Sequence, residues 1–386
     1  MLIIAGLCLS ASIVAEGLRY GRQLIRAQAA GLDPAAAPIT AHRNRAAEPQ
    51  LRLRSIKDIP AAPGAPSAHA SALAAWPDGE LQAYWWAGTR ESAPDVAIYA
   101  SSWKSEQWSA TRRVFTRKEL SVQLGFGVRR LGNPSVWRAA DGRLHLYVVA
   151  TGLGGWAASR VVHLVSDDRG ERFVARRTLP LSPWLNTSVL VRTQALGLAD
   201  GGWLLPAYFE LGNKYPMLIA FDAQGVPQWM RRIGRSVSSL QPALIALGPN
   251  QLRAWMRDNG KSGKVQQASS SDGGLTWQDD PATTLTNHDS SIAALGLAQG
   301  GFVLAHNDQA GAGGARDTPR QWLRLSTSVD GASWRGSLDV RRGERDEEFS
   351  YPAVQQVGNQ LHVTYTSQRR VIGHNVYDIV QSGEPQ

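Results

Sequence analysis

Three arginines, Arg90, Arg257 and either Arg369 or Arg370, each stand at the end of an alternating apolar run in well-separated parts of the chain. A guanidinium presents a planar fork of donors that meets a carboxylate with two bonds at once, so such residues brought together would hold an acidic ligand. Titratable side chains occupy similar places: Glu91 and Asp95 beyond Arg90, then Glu210, Tyr351, His288, His306 and His374. Carboxyl, phenol and imidazole groups near a bound acid supply proton donors, acceptors and nucleophiles. Asn133, Gln241 and Asn307 add neutral hydrogen-bonding groups. The same arginines have a purely structural alternative, which is pairing with Glu91, Asp258 or Glu348.

Converging such scattered residues is the task of a repeating frame. "WPDGELQAYWWAGTR" from Trp76, "AADGRLHLYVVATG" from Ala139 and "LADGGWLLPAYFE" from Leu198 share one pattern. So do "LGPNQLRAWMRDNG" from Leu247, "LAQGGFVLAHND" from Leu297 and "VGNQLHVTYTSQRR" from Val357. Each is a tight two-residue turn followed by an alternating strand. The spacing of these six hairpins, roughly fifty to sixty residues, is that of a four-stranded propeller blade. A second turn interleaves with them, "SSDGGLTW" from Ser270 being the fullest copy. "SDDRGERF", "SVDGASW", "SSWKSEQW" and "FDAQGVPQW" are its relatives, making five.

In an antiparallel meander alternate turns lie on opposite faces, so both repeated turns share one face. The starts of the first strands and the ends of the second then meet on the other. His69, Asn133, Asn186, Gln241, Asp289 and Tyr351 occupy the starts. Arg90 with Glu91, Thr151, Glu210, Arg257 with Asp258, His306 with Asn307, and Arg369 with Arg370 occupy the ends. A constant frame with varied polar residues around one rim is the pattern of a binding face.

The 386 residues carry 41 Lys+Arg against 32 Asp+Glu, a net charge of +9. No dense basic run, zinc pattern or recognition helix accompanies that charge, so attraction of an anionic ligand is expected rather than nucleic-acid binding. Cys8 is the only cysteine, which excludes an internal disulfide and a thiolate zinc site. No histidine spacing suits a metal, and no cofactor is expected. Residues 1–26 are apolar enough for a signal peptide or N-terminal membrane anchor, which implies an exported, periplasmic or anchored protein. Residues 27–66, rich in Ala, Pro and Arg, read as a linker, with the repeat domain over 67–386. Residues 311–318, "GAGGARDT", read as a surface loop or a lid.

Ser-x-Asp-x-Gly-x-Thr-Trp is the Asp-box, and from about residue 66 to 380 the chain resembles the sialidase (neuraminidase) superfamily, in its BNR-repeat sialidase-like branch. The resemblance implies an all-β, six-bladed propeller of four-stranded antiparallel blades and an acidic glycan as partner. It implies an exo-acting glycoside hydrolase in which Arg90, Arg257 and Arg369 hold a carboxylate; Glu91, Asn133, Gln241, Asn307 and His374, placed on the same rim by the repeat pattern, would then lie around the ligand. Asp95 would be the proton donor and a tyrosine activated by Glu210 the nucleophile, Tyr351 at the rim being favoured over Tyr365 within its strand. The superfamily's Arg-Ile-Pro signature is absent, and "GTRES" stands instead. Two other readings stay open. In one, a uronate lyase uses arginine to acidify a C–H and His or Tyr to take the proton. In the other, the propeller binds a glycan without turning it over.

Overall fold

Alternating apolar residues on either side of each hairpin turn commit the flanking segments to one antiparallel pair, and the computed structural model repeats that pairing in six sheets. It describes residues 48–179, 188–308, 320–344 and 346–380. The apolar segment at 1–26, residues 27–47, Asn186 and the 311–318 stretch lie outside the described residues. Blade two shows the plan: Arg130–Arg138 innermost, then Leu144–Thr151, Ser159–Ser166 and Val174–Thr178 outermost. The fold is a six-bladed β-propeller.

Blade six departs from this plan. Its inner three strands are Phe349–Val357, Gln360–Ser367 and Val371–Val380, but its fourth is Gln50–Asp58. That strand pairs antiparallel from Gln50 opposite Val380 to Asp58 opposite Gly373. Residues 50–58, expected as linker, are therefore propeller, and the repeat domain begins before residue 67. The five interleaved turns find their reason here. The sixth blade takes its outer strand from the other end of the chain and has no third-to-fourth turn to make.

The Asp-box turns are fasteners. Asp272 Oδ1 accepts from the Thr276 N–H at 2.9 Å and from Ser270 Oγ at 2.8 Å, and the Trp277 indole N–H donates to Gly274 O at 3.0 Å. Gly274, at φ +96°, sits where a Cβ would strike Leu218 at 2.8 Å, so glycine is required. The Trp277 indole packs into the apolar layer between blades three and four. One helix, Arg117–Leu124, joins blades one and two, closed by a Thr116–Glu119 capping box. Among the described residues no helix is long and apolar enough to cross a membrane.

Candidate active site

The rim side chains are aimed by irregularities in the innermost strands. Pairing in blade six jumps from Ser350–Thr366 to Ala353–Thr364, and Tyr351 inside this bulge has φ +52°. Blade four jumps from Leu240 to Ala243 with Gln241 at φ +49°, and blade one from His69 to Ala72 with Ala70 at φ +60°. Asp289, just before the inner strand of blade five, has φ +48°. A left-handed backbone is costly for bulky residues, and such strain persists where the surroundings enforce it. Here each bulge redirects one side chain away from the regular pleat.

Tyr351 is the hub. Arg257, at the end of Leu252–Asp258, places Nη1 at 3.3 Å from Tyr351 Oη and 3.4 Å from Gln241 Oε1. Its Nε donates to Asp289 Oδ1 at 2.7 Å. Gln241 Nε2 donates to Tyr208 Oη at 3.2 Å, and Asn133 Nδ2 reaches the same oxygen at 3.5 Å. On the other side Glu348 accepts from Arg369 Nε at 2.9 Å and Arg320 Nη1 at 3.2 Å, while Arg369 Nη1 also meets Glu91. The guanidinium carbons of Arg192 and Arg320 lie 5.3 and 5.7 Å from the Tyr351 ring centre, and the His69 ring packs on it at 4.0 Å.

These neighbours set the ionisation of the site. Burial raises the Tyr351 phenol, but Arg257 and Arg320 outweigh it and hold the pKa below the ordinary tyrosine value. Burial raises Glu210, with Arg257 opposing, so this carboxyl holds its proton to higher pH than an exposed glutamate. Burial, reinforced by Arg369 and Arg192, keeps His69 neutral. His69 Nδ1, Arg192 Nε and Arg320 Nε are buried without a hydrogen-bond partner in this cluster.

Tyr351, Gln241, Arg257, Asn133, Glu91 and Arg369 thus share one connected cluster, with Glu210 at its edge. The choice between Arg369 and Arg370 falls to Arg369, which follows Gln368 in a left-handed turn at φ +53° for both. Three expectations, Asp95, Asn307 and His374, are corrected, and Arg90 stands outside the hydrogen-bonded cluster. Asp95 Oδ2 accepts from the Thr89 N–H at 2.8 Å and from the Thr89 hydroxyl. The hydroxyl bond leads in lowering its pKa, which suits a loop clasp and not a proton donor. Arg90 is exposed and forms no ion pair among the described residues. Asn307 is buried, with Nδ2 bonded to the carbonyls of Arg320, Trp322 and Phe349, so it pins blade five to blade six. His374 is internal: Nδ1 accepts from Trp108 Nε1 at 3.1 Å, and Nε2 meets His362 Nδ1 at 3.0 Å.

Several cluster members had escaped sequence reasoning. Tyr208 stands two residues before Glu210, so a period-two reading of that strand would have put both on one face. Arg192 interrupts the apolar run "SVLVRTQALG", a signal that a buried cation was being placed. Arg320 follows the Gly-rich stretch and carries no local signal. His306 is also internal, bonded to Thr286 O and Ser326 Oγ, which leaves His69 as the imidazole against Tyr351. Among the described residues no group of His, Cys, Asp and Glu could hold a metal ion.

A propeller whose Asp-box turns fasten one face, and whose other face gathers arginines around a tyrosine, defines the class of protein. The chain belongs to the BNR repeat-like domain family, whose model matches residues 79–363. A crystal structure of a protein of unknown function from Dyadobacter fermentans is similar at TM-score 0.68 and 14% identity, covering 86% of this chain and 99% of that one. The NanB sialidase of Streptococcus pneumoniae is similar at TM-score 0.63 and 11% identity, covering 85% and 71%. The intramolecular trans-sialidase of Ruminococcus gnavus is similar at TM-score 0.63 and 11% identity, covering 85% and 98%. No curated protein sequence matches the chain.

Proposed function

We propose that this protein is an exo-acting, sialidase-type glycoside hydrolase that removes a terminal acidic sugar from a glycan. The observation that carries this reading is the ring of guanidiniums around the Tyr351 phenol, with buried donors still unmatched. Arg257, Arg320 and Arg369 form the carboxylate clamp, with Arg320 taking the place first expected of Arg90. Tyr351 Oη forms a bond to the anomeric carbon as the bond to the leaving oxygen breaks, and water later releases the sugar. Glu210, with its raised pKa, donates the proton to the leaving oxygen. Arg257 and Arg320 favour the phenolate, so the phenol proton passes to water as the bond to the anomeric carbon forms, with no carboxylate bonded to it. Residues 1–26 fit an exported or membrane-attached location for such an enzyme.

One observation favours a second reading, in which the propeller binds the acidic glycan without cleaving it. The group beside the Tyr351 hydroxyl is the Gln241 amide, which cannot accept a proton as a carboxylate can. The lyase reading is weaker because His306 and His374 are internal. Turnover of a fluorogenic sialoside by residues 48–386, compared with Arg257→Ala, separates these possibilities. Release by the parent and a loss of about a hundredfold or more in the variant is the expected result. Saturable binding without release favours the second reading, and neither binding nor release rejects both.

A further inference from the structure

Arg192 crosses the propeller axis beneath the site. The inner strand of blade three stops after Val189–Val191 and resumes at Leu196–Gly197. The residues between reach the neighbouring inner strands. Arg192 Nη1 donates to Ser71 O of blade one at 3.0 Å, and Nη2 donates to Tyr351 O at 2.6 Å and Pro352 O at 2.8 Å in blade six. Thr193 Oγ1 donates to Pro242 O of blade four, and Ser135 Oγ of blade two donates to Thr193 O at 2.7 Å. Beyond this brace, toward the Asp-box face, the axis opens into a cavity of about 510 Å³ walled by the inner strands.

Bracing explains the hydrogen bonds but not the charge. Among the described residues no carboxylate forms an ion pair with Arg192, although the side chain is only 2% exposed. A buried guanidinium lacking a counter-charge is expensive unless something nearby gains from it. What lies nearby is the Tyr351 ring, 5.3 Å from the guanidinium carbon, on a backbone whose two carbonyls Arg192 holds. Those carbonyls belong to the bulge that sets Tyr351 at φ +52°.

We propose that Arg192 is a positioning residue for Tyr351: it locks the strained bulge through two carbonyls and lends the phenol an uncompensated positive charge from below. The role rests on Tyr351 being the reactive group of the proposed site. Arg192→Gln keeps hydrogen-bond donors but removes the charge, while Arg192→Lys keeps the charge on a single nitrogen and loses the two-nitrogen fork that spans blades one and six. Subtracting the ultraviolet pH titration of a Tyr351→Phe variant isolates the Tyr351 phenol in each background, with or without turnover. Arg192→Gln should raise the Tyr351 midpoint by about one pH unit or more, and Arg192→Lys should leave it near the parent value. On an acidic glycoside, Arg192→Gln should lower kcat about a hundredfold and Arg192→Lys about tenfold, with KM within about threefold of the parent. Folded Arg192→Gln protein with parental midpoint and kcat overturns the assignment. If the parent hydrolyses no acidic glycoside, the hydrolase reading fails by itself and the titration still decides the role of Arg192. If Arg192→Gln does not fold, Arg192→Lys decides: a parental titration with lowered kcat, or lowered acidic-sugar affinity where there is no turnover, supports the proposal, and no change in either overturns it.

Discussion

In the proposed site the proton donor is Glu210 and not Asp95, and their surroundings are the reason. Both are carboxyls on the rim, and sequence position made Asp95 the proton donor and Glu210 the base. The Thr89 bonds stabilise the charged form of Asp95, whereas burial stabilises the neutral form of Glu210. A donor must carry its proton at working pH, so activity limited by Glu210 falls as pH rises through its pKa. Glu210→Gln should remove that limb. It should also slow a substrate with a poor leaving group by about a hundredfold or more, and an activated aryl glycoside much less, because only the former needs the proton. Equal losses on both substrates would assign Glu210 to binding. Residue types and strand ends were enough to bring Tyr351, Gln241 and Arg257 onto one rim, where they are in contact. Which carboxyl is neutral depends on burial and on Thr89, and neither is written in local sequence.

At the scale of strands, the hairpin and Asp-box turns were legible because their chemistry is local: Asp or Asn with Gly, then an aromatic. Irregular elements were less so. The bulges at Gln241 and Tyr351 use residues that do not announce a left-handed backbone, since the neighbouring blades enforce it. The helix at Arg117–Leu124 does carry a local signal, Thr116 three residues before Glu119 and Gly125 after the end, set among strand-like runs. Of the histidines read as rim groups, His374 is paired inside the strands, and the sheet interior holds a second such pair that the rim reading did not include. His145 Nδ1 meets His163 Nε2 at 2.9 Å beneath Trp203, and the His362–His374 pair packs against Trp103. Burial pushes His145 and His362 down to about 4, so all their folding stability is present above the unfolded value of about 6.5. It is lost as pH falls toward 4, at a cost on the order of 3 kcal/mol for each of these two groups. Acid denaturation should therefore begin between about pH 6.5 and 4. His362→Gln should shift the onset to lower pH, and an unchanged onset would place the sensitivity in the carboxylates instead.

For the whole molecule the decisive element is the one composition disguised. Residues 50–58, "QLRLRSIKD", are mostly exposed and lie among Ala, Pro and Arg, so nothing nearby marks them as sheet. Their partner lies more than three hundred residues away, and only ring closure reveals the pairing. The strand hydrogen-bonds to Val371–Val380 along its length, and Leu51 packs onto the apolar layer shared by blades five and six. Lys57 covers the Trp103 ring at 5.5 Å, and Arg54 bonds to Glu106 of blade one at 2.9 Å, so it also joins the last blade to the first. Without it, Val371–Val380 becomes an open edge beside the Trp103 and His374 contacts, and such edges recruit other chains. A chain beginning at residue 60 should therefore melt about 10 °C or more below one beginning at 48, and should aggregate on heating. The site should suffer less than the fold. Arg369 and Glu91 bridge blades six and one at the rim independently of the strand, so acidic-ligand affinity measured well below the melting point should change by less than about threefold. Equal melting temperatures would show that the ring closes through its inner strands alone. A large loss of affinity at low temperature would show that the outer strand holds the rim in register.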